Sequence, residues 1–288
     1  MPKWVHKMPS PTIDNRDWSL LTPPKQLQQL EVEGYLVLPD LLDAKQITAL
    51  KNETMQLETT AVDYSPFQRG TANIEFAGPE ITRLIGHHTT IAFLQNLLGD
   101  EIVMMTYAYA RSEPGHPGIS LHSDGQPYGS EIFGYEGSCP VLIRVLYYLD
   151  NLTPEISPFR VVPRSHLCLH ADANPYLRYQ SHPEEVMVTV QAGSAVLIHH
   201  RVFHGNFQNI GDRPRELLAI AYRPTWAGPV AEVSEWEAAD LENVDPHIRI
   251  LLGSRNQRQG DFHGGNKPLN MPDQAAGMSP NRWSRTFR

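Results

Sequence analysis

His122-Ser123-Asp124 and the distant His204 and Arg215 are the residues of this 288-residue chain whose types and spacing could do redox chemistry. Two imidazoles and one carboxylate hold iron on one side and leave coordination positions open, which suits reactions with oxygen. His122 and Asp124 stand at i and i+2, so on a strand both point to one face and can reach one ion. The third ligand must then come from a neighbouring strand. The chain has 13 histidines, and His199, His200, His166 and His170 all compete for that place. The downstream spacing separates them. Only His204 is followed by Gly205, by the turn Asn209-Ile210-Gly211-Asp212, and by an arginine eleven residues on, at the start of the apolar run Leu217 to Tyr222. Counting eleven from His199 or His200 lands on Ile210 or Gly211. A His-x-Asp tripeptide also suits an ordinary hydrogen-bonded pair. Here Gly115, Pro117 and Gly118 before it, and Gly125 and Pro127 after it, put it at a strand end, where ligands converge in a barrel mouth.

The elements that must position these residues fall into two parts. Residues 1–23 are polar and carry Pro9, Pro11 and Pro23, so they read as an extended arm. Pro24 and Lys25 open a short helix through Leu30, Gly34 to Pro39 reads as a strand, and Asp43 caps a helix through Leu57. Ile81 to Leu98 carries a further helical stretch, stopped by Gly99-Asp100. Beyond Asp100 helical periods vanish. Ile102 to Arg111, Ile119 to Ser123, Val141 to Asp150, Phe159 to Val162, Val186 to Gln191, Ala195 to His199 and Glu216 to Arg223 read as short strands between Gly, Pro and Asn turns. That pattern is mainly β with flanking helices, a barrel or jelly roll. Short helices are expected at Ser234 to Leu241 and Pro246 to Leu252, before a Gly-, Asn-, Pro- and Arg-rich tail from Gly253. The expected organisation is one domain over residues 1–288: the arm, a core of helices and barrel over 24–226, and C-terminal helices and tail over 227–288.

Composition narrows the classes of partner. The net charge of −8 gives no basic face of the kind a nucleic-acid backbone rewards, so a small-molecule substrate and no nucleic acid are expected. No run approaches the ~18 apolar residues of a membrane span, and the N-terminus lacks a signal-peptide core. A cytoplasmic protein without membrane contact is expected. Cys139 and Cys168 are too few for a disulfide framework and form no zinc motif. The tail arginines suit a solvated surface or a subunit contact, which leaves room for a homodimer.

At four ordered places the chain resembles the phytanoyl-CoA dioxygenase family of Fe(II)- and 2-oxoglutarate-dependent oxygenases. They are Glu33-Gly34-Tyr35-Leu36-Val37-Leu38-Pro39, Leu121-His122-Ser123-Asp124, Val161-Val162-Pro163-Arg164-Ser165-His166, and Gln191 to Leu197 leading to His204-Gly205 and Arg215. The resemblance spans roughly residues 27–225. It implies a double-stranded β-helix, a cupin-like jelly-roll barrel. It also implies that Fe(II) is held by His122, Asp124 and His204, with O2 as oxidant, and that 2-oxoglutarate meets Arg215. A guanidinium fork matches a carboxylate and stays charged. The activity implied is hydroxylation of an unactivated C–H bond with release of succinate and CO2. Related halogenases carry a small residue where this chain has Asp124, so halogenation is disfavoured. Two departures stand out. Pro154 to Arg160 replaces the family's Glu-Asn-Gly, and Arg164 replaces the glycine of Val-Pro-Gly-Ser-His, so a substrate class does not carry over.

Tyr107 and Tyr109, on the strand before His122, are candidates for a second bond to the cosubstrate or for wall aromatics. Gln126, Tyr128 and Gly129 to Gly137 could fold over the mouth as a lid or form a surface loop. Arg144 and Arg160 lie within or beside apolar strands, so each pairs with a carboxylate or meets an anionic substrate. Trp226 lines the pocket or packs. Two rivals to a hydroxylase remain: a catalytically silent jelly roll that binds a metal or ligand, and a same-fold oxygenase performing desaturation, epoxidation or ring formation.

Overall fold

A computed structural model of the chain describes residues 11–62, 65–122, 142–167, 181–227 and 235–253. Asp124, Gln126, Tyr128, the Gly129 to Gly137 segment, Cys139, Cys168 and His170 lie outside the described residues.

The N-terminal part runs β1 (Thr12–Asp14), α1 (Pro23–Glu33), β2 (Tyr35–Leu38), α2 (Ala44–Thr54), β3 (Thr60–Val62), β4 (Ser65–Ala72), α3 (Pro79–Leu84) and α4 (His88–Leu98). Its boundaries follow from local chemistry. Prolines sit in the first turn of α1, where no N–H is needed, and Gly34 at φ 82° ends it, its N–H donating to the Leu30 carbonyl at 2.9 Å. Asp43 opens α2 with a capping box: Oδ1 accepts from the Gln46 N–H at 2.8 Å and Gln46 Oε1 accepts from the Asp43 N–H at 2.9 Å. The single helical stretch expected from Ile81 to Leu98 is two helices, α3 and α4, broken at Gly86-His87. At that break a Cβ on Gly86 would lie 2.6 Å from the ring of His247.

Eight strands then form the barrel: β5 (Ile102–Ser112), β6 (Ile119–His122), β7 (Ile143–Tyr148), β8 (Phe159–Val162), β9 (Val186–Val188), β10 (Ala195–His199), β11 (Phe203–Asn206) and β12 (Arg215–Pro224). Two short helices follow, α5 (Ala238–Leu241) and α6 (Pro246–Leu251). The strands lie in a five-stranded sheet, ordered β1-β9-β8-β11-β6, and a seven-stranded sheet, ordered β2-β10-β7-β12-β5-β4-β3. From β5 to β12 the chain divides between the two sheets as the expected double-stranded β-helix does. Four strands escaped the sequence reading. The supposed arm contributes β1, which pairs in parallel with β9, while β3 and β4 extend the large sheet beyond β5. The fourth, β11, carries His204.

Burial distinguishes the two faces of the large sheet. Its outer face packs against the helices, where the Tyr147 hydroxyl donates to Thr90 Oγ1 at 2.8 Å and the Tyr222 hydroxyl to the Ile85 carbonyl at 2.7 Å. Every residue of β12 is buried, since it is flanked by β5 and β7 and covered on both faces. Each fully buried Leu, Ile or Val there contributes roughly 1.5–3 kcal/mol. Among the described residues no helix is long and apolar enough to cross a membrane.

Where the family pattern has glycine, Arg164 is held at φ 65°, in the left-handed region. A side chain there costs roughly 1–2 kcal/mol, whereas glycine loses only about 0.4–1 kcal/mol through the extra freedom of its unfolded chain. The guanidinium gains little in return, because its contact with Glu33 is exposed. Arg164→Gly is therefore expected to stabilise the fold by roughly 0.5–1 kcal/mol, read as a higher urea midpoint at unchanged slope.

Candidate functional site

The short connections β5–β6 and β11–β12 meet at one end of the barrel, and the connection β10–β11 lies at the other. This gives the site its direction. His204 is the second residue of β11 and pairs across the ladder with His122, the last residue of β6. Their ring centroids are 4.4 Å apart with planes at 46°. His204 Nδ1 lies 3.0 Å from the Val202 carbonyl. A carbonyl only accepts, so the ring proton is on Nδ1 and the lone pair on Nε2, the tautomer a metal needs. Two adjacent imidazoles in this arrangement fit a divalent transition metal.

Arg215 opens β12 at the opposite end and is fully buried. Its Nη2 donates to Ser112 Oγ at 2.6 Å, the residue directly across the β5–β12 ladder, and Ser112 in turn donates to Gln68. The ring of Tyr148 lies 5.9 Å from the guanidinium, with Asn206 beside its hydroxyl, and burial pushes that phenol up to about 12. Burial and the charge of Arg215 together push His116 down to about 4, so it is a neutral neighbour of the cation at pH 7. Asn206 is two residues beyond His204 on β11, which sets the Arg215 cluster about 7 Å along the barrel from the histidines. That span is comparable to a five-carbon diacid. Between them β5 turns Ala110, Ala108 and Thr106 inward, opposite Leu217, Ala219 and Ala221. These inward β5 residues are half-buried while Tyr107 and Tyr109 between them are buried, so the barrel interior has open space.

The structure brings together His122, His204 and Arg215 and separates them from others. Tyr107 and Tyr109 sit opposite Ile220 and Leu218, on the helix-facing side of the sheet, because they are out of phase with Ser112 and Arg215. The Tyr109 hydroxyl donates to Glu216 Oε2 at 2.5 Å, so neither tyrosine is placed to reach a ligand beside Arg215. Arg160 alternates with Phe159 and Val161, which share the His204 face, so it points out of the small sheet. There it pairs with Glu185 at 2.5 Å and lies outside the barrel interior, which removes it from a substrate role in the mouth. Trp226 is 69 % exposed, in a turn past the end of β12, and does not pack in the pocket. Arg144 does face inward, opposite Ile198 and Ala221. Ser112, Gln68, His116, Tyr148 and Asn206 went unnoticed in the sequence. Ser112 alone carried a signal, as the last residue of a long strand two residues in phase with the small residues Ala108 and Ala110.

Comparison with known proteins agrees with this fold. The family model described as phytanoyl-CoA dioxygenase (PhyH) matches residues 30–217. Dioxygenase trt7 of Aspergillus terreus is 23% identical over 268 residues, covering 86% of this chain and 91% of that protein. The structure of HygX from Streptomyces hygroscopicus with nickel and 2-oxoglutarate bound superposes with a TM-score of 0.60 at 20% identity, covering 78% of this chain and 95% of the other. SnoN, described as a non-haem α-ketoglutarate-dependent epimerase from nogalamycin biosynthesis, superposes with a TM-score of 0.58 at 18% identity, covering 70% of this chain and 80% of the other.

Two outcomes are expected from this arrangement. Tyr109→Phe leaves the buried Glu216 carboxylate one donor short and costs about 1–3 kcal/mol in denaturant, with no change in 2-oxoglutarate binding measured by calorimetry. The folded His116 refuses a proton until about pH 4, whereas the unfolded chain takes one up near 6.5. Stability is therefore full above pH 6.5 and falls as the pH drops toward 4. His116→Asn should flatten that loss in unfolding curves at pH 7 and pH 5, though not abolish it, because burial also lowers His87 and His166.

Proposed function

The chain belongs to the phytanoyl-CoA dioxygenase family, and on that premise we propose that it is an Fe(II)- and 2-oxoglutarate-dependent oxygenase that hydroxylates a small molecule at an unactivated C–H bond, with release of succinate and CO2. The observation that carries this reading is the alignment within one barrel of the His122–His204 pair with a fully buried Arg215, about 7 Å apart along the strands. His122 and His204 would hold the iron with Asp124, which follows His122 by two residues. Bound iron supplies the activation of O2, coupled to oxidation of the cosubstrate.

The protein's own groups do the rest. Val202 fixes the tautomer of His204 through its carbonyl, so the imidazole presents a lone pair without first losing a proton. Arg215 meets the distal carboxylate of 2-oxoglutarate with a permanent charge, and Ser112, bonded to Nη2, keeps the fork from rotating. Neutral Tyr148 and neutral His116 line that end without adding a second charge. The small inward residues Ala108, Ala110, Ala219 and Ala221 leave the middle of the barrel open, while the apolar walls keep bulk water from the reacting carbon. A second reading, another oxidative outcome on the same machinery, draws support from the likeness to the epimerase SnoN.

Anaerobic addition of Fe(II) and 2-oxoglutarate is expected to give a weak visible charge-transfer band. Arg215→Ala should weaken 2-oxoglutarate binding by roughly 100-fold, since truncating one partner of a buried charge pair costs about 2–5 kcal/mol. His204→Ala should remove the band. A protein that binds metal but shows the same response to 2-oxoglutarate with and without Arg215 is a silent metal-binding jelly roll and not an oxygenase.

A further inference from the structure

A buried hydroxyl stands beside Arg215 with no hydrogen bond of its own. Tyr148 is the last residue of β7, and the alternation of that strand fixes its face. Its neighbour Tyr147 points outward to Thr90, so Tyr148 points inward, opposite Leu217 of β12 and diagonal to Arg215. The ring lies 5.9 Å from the guanidinium. Tyr148 is fully buried, and its hydroxyl has no hydrogen-bond partner among the described residues. Asn206 of β11 lies beside it, but its Nδ2 donates instead to the Ser157 carbonyl at 3.3 Å. The phenol therefore reaches from the large sheet to the small one, at the level of Arg215 and two residues along β11 from His204. Burial pushes it up to about 12, and the charge of Arg215 and the Asn206 amide offset only part of that rise. At pH 7 it is a neutral O–H donor. A buried donor without an acceptor costs stability, and proteins retain few of them unless the group has another use.

We propose that Tyr148 is a second anchor for the cosubstrate, its hydroxyl donating to the same distal carboxylate of 2-oxoglutarate that Arg215 meets. This role rests on the oxygenase reading and deepens it by one binding residue. An ionised carboxylate accepts at about four lone-pair sites, so a guanidinium and a phenol can bond one carboxylate together. The cation attracts an anion from any direction, whereas the O–H rewards only an acceptor in line with it, which fixes where the carboxylate sits. The part expected of Tyr107 or Tyr109 thus falls to a tyrosine of β7, because those two face the helices. Ser157, which holds the amide beside the phenol, belongs to the segment Pro154 to Arg160 that departs from the family pattern.

Tyr148→Phe removes the hydroxyl and keeps the ring. Anaerobic Fe(II) protein, wild type and variant, is titrated with 2-oxoglutarate and separately with 2-oxopentanoate, in which a methyl group stands where the distal carboxylate would be. Binding is read from the charge-transfer band. The variant should bind 2-oxoglutarate at least about fivefold more weakly, as the loss of a hydrogen bond to a charged group implies. 2-Oxopentanoate should not separate the two proteins. Without metal and cosubstrate, the urea midpoint of the variant should equal or exceed that of the wild type, because an unbonded hydroxyl has no partner to lose. A smaller loss of 2-oxoglutarate affinity, an equal loss for 2-oxopentanoate, or a lowered midpoint, which assigns the hydroxyl to Asn206, overturns the proposal. Failure of the band to form in the wild-type protein with Fe(II) and 2-oxoglutarate overturns the oxygenase reading instead, and the anchor with it.

Discussion

The site depends on the two-residue alternation of β12. Arg215 points into the barrel and Glu216, the next residue, points out against the helices. A slip of one residue would carry the acid into the interior and the guanidinium against the helices. The outer network prevents this. Glu216 accepts from Tyr109 at 2.5 Å, lies 3.6 Å from Lys51 Nζ of α2, and its own N–H donates to Asp150 at 2.8 Å. Ladders to β5 on one side and β7 on the other hold the same register. Groups that never face the cavity thereby determine what does.

That register also explains how one barrel keeps two chemistries apart. The connections β5–β6 and β11–β12 gather Ser112, His116 and Arg215 at one end, whereas β6 delivers His122 and β11 delivers His204 toward the other. Arg215, at the first of these ends, is costly to bury and is oriented by Ser112, which is itself fixed by Gln68. Arg223, toward the other end of β12, is buried as well, its Nη1 donating to the carbonyls of Pro224 and Thr225. The alanines between the two ends are in phase with both, so the space they leave runs from one to the other.

Much of this was legible in order along the chain. Regular spacing marks β5, β7, β10 and β12, since long apolar or alternating runs have few other uses, and the Asp43 cap and the Gly34 stop are local chemistry. The strands that were missed lack such marks. β11 reads Phe-His-Gly-Asn, with one apolar residue in four, and is a strand only because β6 and β8 flank it. β1 hides in a proline-rich arm and exists through its parallel pairing with β9. β4 has the mixed composition of a loop and is organised by β5.

The sequence by itself determined the chemistry on offer: which residues could ligate a metal, that Arg215 begins a strand, and that the framework is a barrel with helices beside it. Residue type and spacing encode those properties directly, because a ligand needs its donor atom and a strand its period of two. Only the tertiary structure decided which face each side chain takes. Tyr109 and Arg160 looked as suitable as Arg144 along the chain, yet pairing turned the first two outward, to Glu216 and Glu185, and Arg144 inward, and it brought the unnoticed Ser112 inward too. Facing is a property of the ladder and of what covers it, and neither is local to the residue.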